Sequence, residues 1–297
     1  MQLNPASFFN TVGVSRRQAL RNLGLGALGL SALGALTPKT ARADLNQDLD
    51  ILTFALNLEY LEAQYYTYGT TGRGLPAAGV QINGTGQQGF VTIKPNPKVP
   101  FSTPEIEQYA TEIAKDEQDH VTFLRAVLSQ ALGQPIAQPA IDLVNSFNQI
   151  GRALGYDSFD PFESEKKFLL GAFIFEDVGV TAYKSAARLI SNKDYLEAAA
   201  GILAVEAYHA GNVRVNLFSF GEAYRAYTRQ LSDARQELSG AEDDQPVVGP
   251  DGKANIVPAD ANGIVYSRTA RQILNILYGA RDASQGLFFP NGVNLRS

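Results

Sequence analysis

The sequence predicts an all-α protein, a four-helix bundle with a long crossover and further helices toward the C-terminus. Three observations lead there. Four long segments carry apolar residues at spacings of three and four, the period of an amphipathic helix. Long Gly/Pro-rich connections follow the first and second of them, whereas only Ser191-Asn192-Lys193-Asp194 separates the third from the fourth. Two helical pairs joined by one long crossover are a standard way for such segments to bury their stripes.

The first segment spans about 48–68, with Leu52, Ala55, Leu56, Glu59, Ala63 and Tyr66 in its stripe, and is expected to stop at Gly69. Residues 69–102 read as a surface loop with one short extended piece over 89–95. The second segment opens at Ser102, where Glu105 completes a capping-box pattern and Pro104 suits the first turn, and ends at Gly133. Its stripe is Ile106, Ala110, Ile113, Glu117, His120, Leu124 and Val127. Residues 133–163 form the crossover, with a short helix near 141–154. The third segment covers 164–190, through Leu169, Ala172, Glu176, Val180 and Tyr183. The fourth follows with Leu196, Ala199, Leu203, Glu206, His209, Val213 and Leu217. A polar-faced helix over 222–238 and a last one over 270–277, capped by Ser267, complete the reading. The bundle is assigned to 44–238, and 239–297 to a C-terminal extension packing on it.

Composition narrows the chemistry. The 297 residues include 25 Lys+Arg, 30 Asp+Glu and two His, with 45% hydrophobic residues, enough to close a core. The absence of Cys excludes disulfides, thiolate nucleophiles and thiolate metal sites. An acidic balance, without a basic stripe interleaved with aromatics, argues against a nucleic-acid partner.

Residues 1–43 contain no acid and read as a leader. Arg16-Arg17 precedes an apolar run over 23–36, and Ala41-x-Ala43 offers a small-residue cleavage pattern. The apolar core is too short to span a bilayer, and the paired arginines resemble a twin-arginine signal peptide. The expected destination is the periplasm or another extracytoplasmic space, with no transmembrane span left in the mature chain. Removing the leader also removes Met1, the only Met, and leaves a chain without sulfur. Such a chain suits work near peroxide or dioxygen, since Met and Cys oxidise most readily; compositional drift is the plainer explanation.

The four long segments break the amphipathic rule in the same way. Each places acid in its buried stripe: Glu59, Glu117, Glu176 and Glu206, with His120 and His209 beside two of them. Buried carboxylates must be paired, protonated or metal-bound. Glu117-x-x-His120 and Glu206-x-x-His209 set both side chains of each pair on one helix face. One Glu from each of two helices, plus Glu-x-x-His from each of the other two, is the inward ligand set of ferritin-like di-iron and di-manganese carboxylate bundles. An internal echo accompanies it: Tyr66 follows Glu59 by seven residues, and Tyr183 follows Glu176 by seven. These tyrosines are candidates for hydrogen-bonding or redox-active phenols beside the metals, with plain core packing the simpler alternative. Glu62 is an alternative to Glu59 as ligand. Asp116, Asp119 and Asp177 read as solvated charges, with an orienting role toward His as the alternative.

The segments Asn57-Leu58-Glu59-Tyr60-Leu61-Glu62-Ala63, Asp116-Glu117-Gln118-Asp119-His120, Phe175-Glu176-Asp177-Val178-Gly179-Val180-Thr181-Ala182-Tyr183 and Val205-Glu206-Ala207-Tyr208-His209-Ala210-Gly211 resemble the ferritin-like domain of desiccation-related proteins, as does Val257-Pro258-Ala259-Asp260-Ala261-Asn262-Gly263-Ile264. The resemblance covers about 46–290. It implies a ferritin-like fold and the ligands Glu59, Glu117, His120, Glu176, Glu206 and His209 for two divalent metal ions, Fe or Mn. Glu117 and Glu206 are expected to bridge, and Glu59 and Glu176 to bind terminally. The expected function is oxidative-stress or desiccation tolerance through catalase- or ferroxidase-like chemistry on peroxide, dioxygen or Fe²⁺. The alternative is a non-catalytic protective scaffold with structural metals. A homo-oligomer is compatible with the fold, whereas the 69–102 insertion argues against a closed cage.

Overall fold

A computed structural model describes residues 39–296. The expected leader falls outside the described residues up to position 38. The described chain is helical throughout its core, as the periodicity predicts. It forms α1 (Lys39–Thr71), α2 (Pro104–Leu132), α3 (Asn145–Ala153), α4 (Glu165–Ala187), α5 (Lys193–Ser219), α6 (Glu222–Ser239) and α7 (Ala270–Tyr278). α1 packs along α2 and α4 along α5, and the two pairs close on each other to form the bundle. The crossover holds α3 and the strand β2 (Ile141–Asp142), which pairs in parallel with β1 (Val91–Thr92). The 69–102 segment is thereby stitched to the crossover. The extended piece expected over 89–95 is confined to these two residues.

Four helix ends depart from the sequence reading. α1 begins at Lys39, ahead of the expected start at 48, because no Gly or Pro interrupts 39–68. It also runs through Gly69 to Thr71. Gly69 is a point of close approach: a Cβ there would lie 2.3 Å from the Phe168 ring, and the left-handed residue after the helix is Gly72 (φ +76°). The capping box expected at Ser102 does not form. The Ser102 and Thr103 backbone N–H groups instead donate to Oε2 of Glu165, at 2.7 and 2.9 Å, so the first turn of α4 caps α2. α7 is capped by Thr269 with Gln272 in a full capping box, two residues beyond the expected Ser267.

The core is aromatic at the crossover end. Tyr65 stacks on Phe168 with centroids 4.7 Å apart, and Phe147, Phe162 and Phe175 surround it. Phe288 from the C-terminal segment enters the same cluster, 4.8 Å from Phe175. The extension is also held by Asn294, which exchanges hydrogen bonds of 2.8 and 2.9 Å with Asn57 of α1.

A second anchor is ionic. Asp177 of α4 accepts from Arg214 of α5 at 2.8 Å and from Arg235 of α6 at 2.9 Å. Arg235 reaches on to Asp244 at 2.8 Å, and Arg268 pairs with Asp243 and Asp244 at 2.9 and 2.6 Å. All six groups are buried or nearly so. Asp177 is therefore a buried ion-pair partner, where the sequence suggested a solvated charge. Burial so deep is tolerable only because every charge has an opposite one in contact.

Candidate metal centre

Glu59 and Glu62 project from α1, Glu117 and His120 from α2, Glu176 from α4, and Glu206 and His209 from α5. The bundle closes these faces on each other. Glu59, Glu117 and Glu206 are 0% exposed and Glu176 1%, with no Lys or Arg among their partners. All six residues expected as ligands are thus brought to one place.

They form two groups that share one member. Donor atoms of Glu59, Glu117, His120 and Glu206 lie within 4.8 Å of one another, as do those of Glu117, Glu176 and His209. Nδ1 of His120 is 3.1 Å from Glu59 Oε2 and 3.6 Å from oxygens of Glu117 and Glu206. Nδ1 of His209 is 3.0 Å from Glu117 Oε1 and 3.7 Å from Glu176 Oε2. The imidazole centroids are 6.3 Å apart. Both rings face inward through Nδ1.

Apart from the contact of His120 Nδ1 with Glu59 Oε2, this proximity is not mutual hydrogen bonding. Both oxygens of Glu117, both of Glu206, Oε2 of Glu176 and Nδ1 of His209 are buried without a hydrogen-bond partner. Orphaned buried polar atoms are costly and uncommon. Converging on common points rather than on each other, these atoms have the disposition of ligands around cations. Carboxylate oxygens with neutral imidazoles form a donor set suited to Fe or Mn.

The expected pair of bridging carboxylates is not symmetric. Glu117 belongs to both groups, whereas Glu206 belongs only to the group with Glu59 and His120. Space explains the difference. Gly179 of α4 has no side chain, and a Cβ there would lie 2.4 Å from Glu206 Oε2. The Glu206 carboxylate occupies that gap.

Without cations, protons must balance the negative charge. Burial pushes Glu59 up, Glu176 up to about 8, and Glu62 and Glu206 well above the carboxylate range. Burial opposes charge on His120, but Glu59 and Glu117 outweigh it and raise the ring to about 11. Glu117 and Glu176 likewise overcome burial at His209 and raise it to about 9. Glu117 is as deeply buried, yet the two imidazoles against it hold its carboxyl far below the usual range.

Outer partners fix the donors. The Tyr66 hydroxyl donates to Glu176 Oε1, and the Tyr183 hydroxyl donates to Glu59 Oε1. Each tyrosine thus serves the carboxylate of the other half of the bundle. Nε2 of His209 lies 3.4 Å from Asp116 Oδ2, which gives this aspartate the orienting contact. Asp119 is ion-paired with Lys115 at the surface. The sequence reading missed the buried Arg214, Arg235 and Arg268. Their partners lie on other elements, which no stripe within one helix reveals.

Comparison with known proteins agrees with this geometry. The chain is 26% identical to the "Ferritin-like catalase Nec2" of Nesocodon mauritianus over 269 residues, covering 84% of each chain. It is 28% identical over 249 residues to the "Desiccation-related protein PCC13-62" of Craterostigma plantagineum, covering 76% of each. No solved structure matches the chain. Residues 47–218 match the Ferritin-like domain family, a stretch that contains every residue of the centre, and the chain belongs to that family.

Proposed function

We propose that this protein is an exported di-metal carboxylate protein that disproportionates hydrogen peroxide in defence against oxidative or drying stress. The observation that carries the metal assignment is the set of buried, unpartnered oxygens of Glu117 and Glu206 facing two inward imidazoles. Glu59, Glu117, His120 and Glu206 would hold one ion, and Glu117, Glu176 and His209 the other. A bound Fe or Mn pair would supply two-electron exchange with successive peroxide molecules, giving water and dioxygen. The name of the Nesocodon relative supports peroxide as substrate.

The chain's own residues supply position and exclusion. Tyr66 and Tyr183 hold one oxygen each of Glu176 and Glu59, leaving the other oxygen for metal. Asp116 sets the tilt of His209. The surrounding helices keep bulk water from the carboxylates, which are exposed by 1% or less. Beyond the leader the chain offers no Met or Cys for stray oxidant to attack. Export rests on the paired-arginine leader, and among the described residues no helix is long and apolar enough to cross a membrane.

The desiccation-related relative favours a second reading, a protective scaffold whose metals are structural. Elemental analysis of the purified protein, followed by dioxygen evolution from peroxide and Fe²⁺ oxidation assays, separates the readings. Two Fe or Mn per chain with dioxygen evolution is expected. Bound metal without turnover of peroxide or Fe²⁺ favours the scaffold, and absence of transition metal overturns both.

A further inference from the structure

The two halves of the centre repeat their Glu and Tyr positions but differ at the residue one turn beyond the first Glu. Tyr66 and Tyr183 stand at the same distance from Glu59 and Glu176, but three residues after Glu59 stands Glu62, and three residues after Glu176 stands Gly179. The two unlike residues meet. A Cβ on Gly179 would lie 2.4 Å from Glu206 Oε2 and 3.3 Å from Glu62 Oε1. Gly179 has no positive φ to require glycine, so what its hydrogen provides is room. Two carboxylates fill that room. Glu62 is 4% exposed, and the two oxygens of Glu206 beside it lack a hydrogen-bond partner.

We infer that Glu62 is a seventh donor to the centre, a fifth carboxylate that joins Glu206 at the metal position defined by Glu59, Glu117 and His120. This rests on the metal-centre reading above and adds to it that the two positions are unequal. The position with Glu62 draws on Glu59, Glu62, Glu117, His120 and Glu206. The other draws on Glu117, Glu176 and His209. Glu62 lies outside the tight four-residue group, with its Oε1 at the gap over Gly179 that Glu206 also enters. More carboxylates at one position mean tighter binding of a hard divalent cation there. The poorer position has fewer protein donors, which makes it the one to take a small exogenous ligand.

The test is titration of metal-free protein with Mn²⁺ by calorimetry, alongside the melting temperature of the metal-free form. Wild type is expected to bind two ions in two resolved steps. Glu62→Gln should weaken the tighter step by about tenfold or more and spare the weaker one. Its metal-free melting temperature should stay level, because Gln has the size and hydrogen-bonding capacity of the carboxyl that it replaces. Gly179→Ala should fold, since the obstructed atoms are ends of flexible side chains, and should weaken the same step. Unchanged affinities in Glu62→Gln overturn the proposal. So does an equal loss at both steps with a lowered metal-free melting temperature, which marks a merely structural residue. Wild type that binds no Mn²⁺ overturns the metal centre itself, and the proposal falls with it.

Discussion

The hydroxyl of Tyr66, on α1, donates to Oε1 of Glu176, on α4. Tyr183 of α4 returns the contact to Glu59 of α1. The crossed pair ties the two helical hairpins together at the level of the centre. It also fixes which oxygen of each glutamate faces the imidazoles. Such outer hydrogen bonds typically matter by one to two orders of magnitude in metal affinity.

Replacing these phenols should separate the two metal positions. Tyr66→Phe is expected to weaken the step that uses Glu176 by about 10–100-fold, and Tyr183→Phe the step that uses Glu59 by a similar factor. Calorimetric titration with Mn²⁺ checks this. The same step affected in both variants would show that the phenols act through general packing.

Glu117 is the shared donor, so its removal should be the more damaging. Glu117→Gln is expected to lose both ions, and Glu176→Gln only one. Metal-to-protein ratios after gel filtration decide it. One ion retained in Glu117→Gln would show that one position holds its metal without the shared donor.

Gly69→Ala should destabilise the fold even though Ala favours helices. The added methyl meets the Phe168 ring at 2.3 Å, against a stacked and fully buried Tyr65. Overpacking of that kind costs about 1–3 kcal/mol, read by urea unfolding. An unchanged midpoint would mean that Phe168 moves freely.

The ionic anchor makes stability depend on pH. Burial opposes charge on Asp244, but Arg235 and Arg268 outweigh it and hold its carboxyl below the ordinary aspartate value. The folded chain therefore binds that proton less readily than the unfolded one. The stabilisation is complete above about pH 4 and is lost as pH falls through the lowered value. Asp244→Asn should cost about 3–5 kcal/mol at pH 6, since it strips a partner from two buried arginines. The gap between variant and wild type should close progressively below pH 4. A constant gap down to pH 2 would show that the carboxylate charge is not what matters.

Much of the centre was legible because its grammar is local. Glu-x-x-His places two donors on one helix face whatever lies opposite, and acid recurring in four apolar stripes has few explanations besides metal. Glu62 was visible as an alternative to Glu59, which its seven-residue spacing to Tyr66 favoured. The structure sets Glu59 in the tight group, whereas the surroundings of Glu62 include Gly179, on a helix more than a hundred residues away. Asp177 looked like a surface charge for the same reason: its partners Arg214 and Arg235 lie on other helices.

The amino-acid order alone determined the helical period, the placement of acid within it and the donor types, since each follows from φ/ψ geometry and side-chain chemistry within a few residues. Packing of the helices across the bundle, and of the C-terminal extension on it, decided the rest. It made Glu117 the common donor, sent each tyrosine to the opposite half, turned Gly69 from a stop into a contact, and buried Arg214, Arg235 and Arg268. Those outcomes depend on which surface arrives from across the bundle, and no local periodicity encodes that.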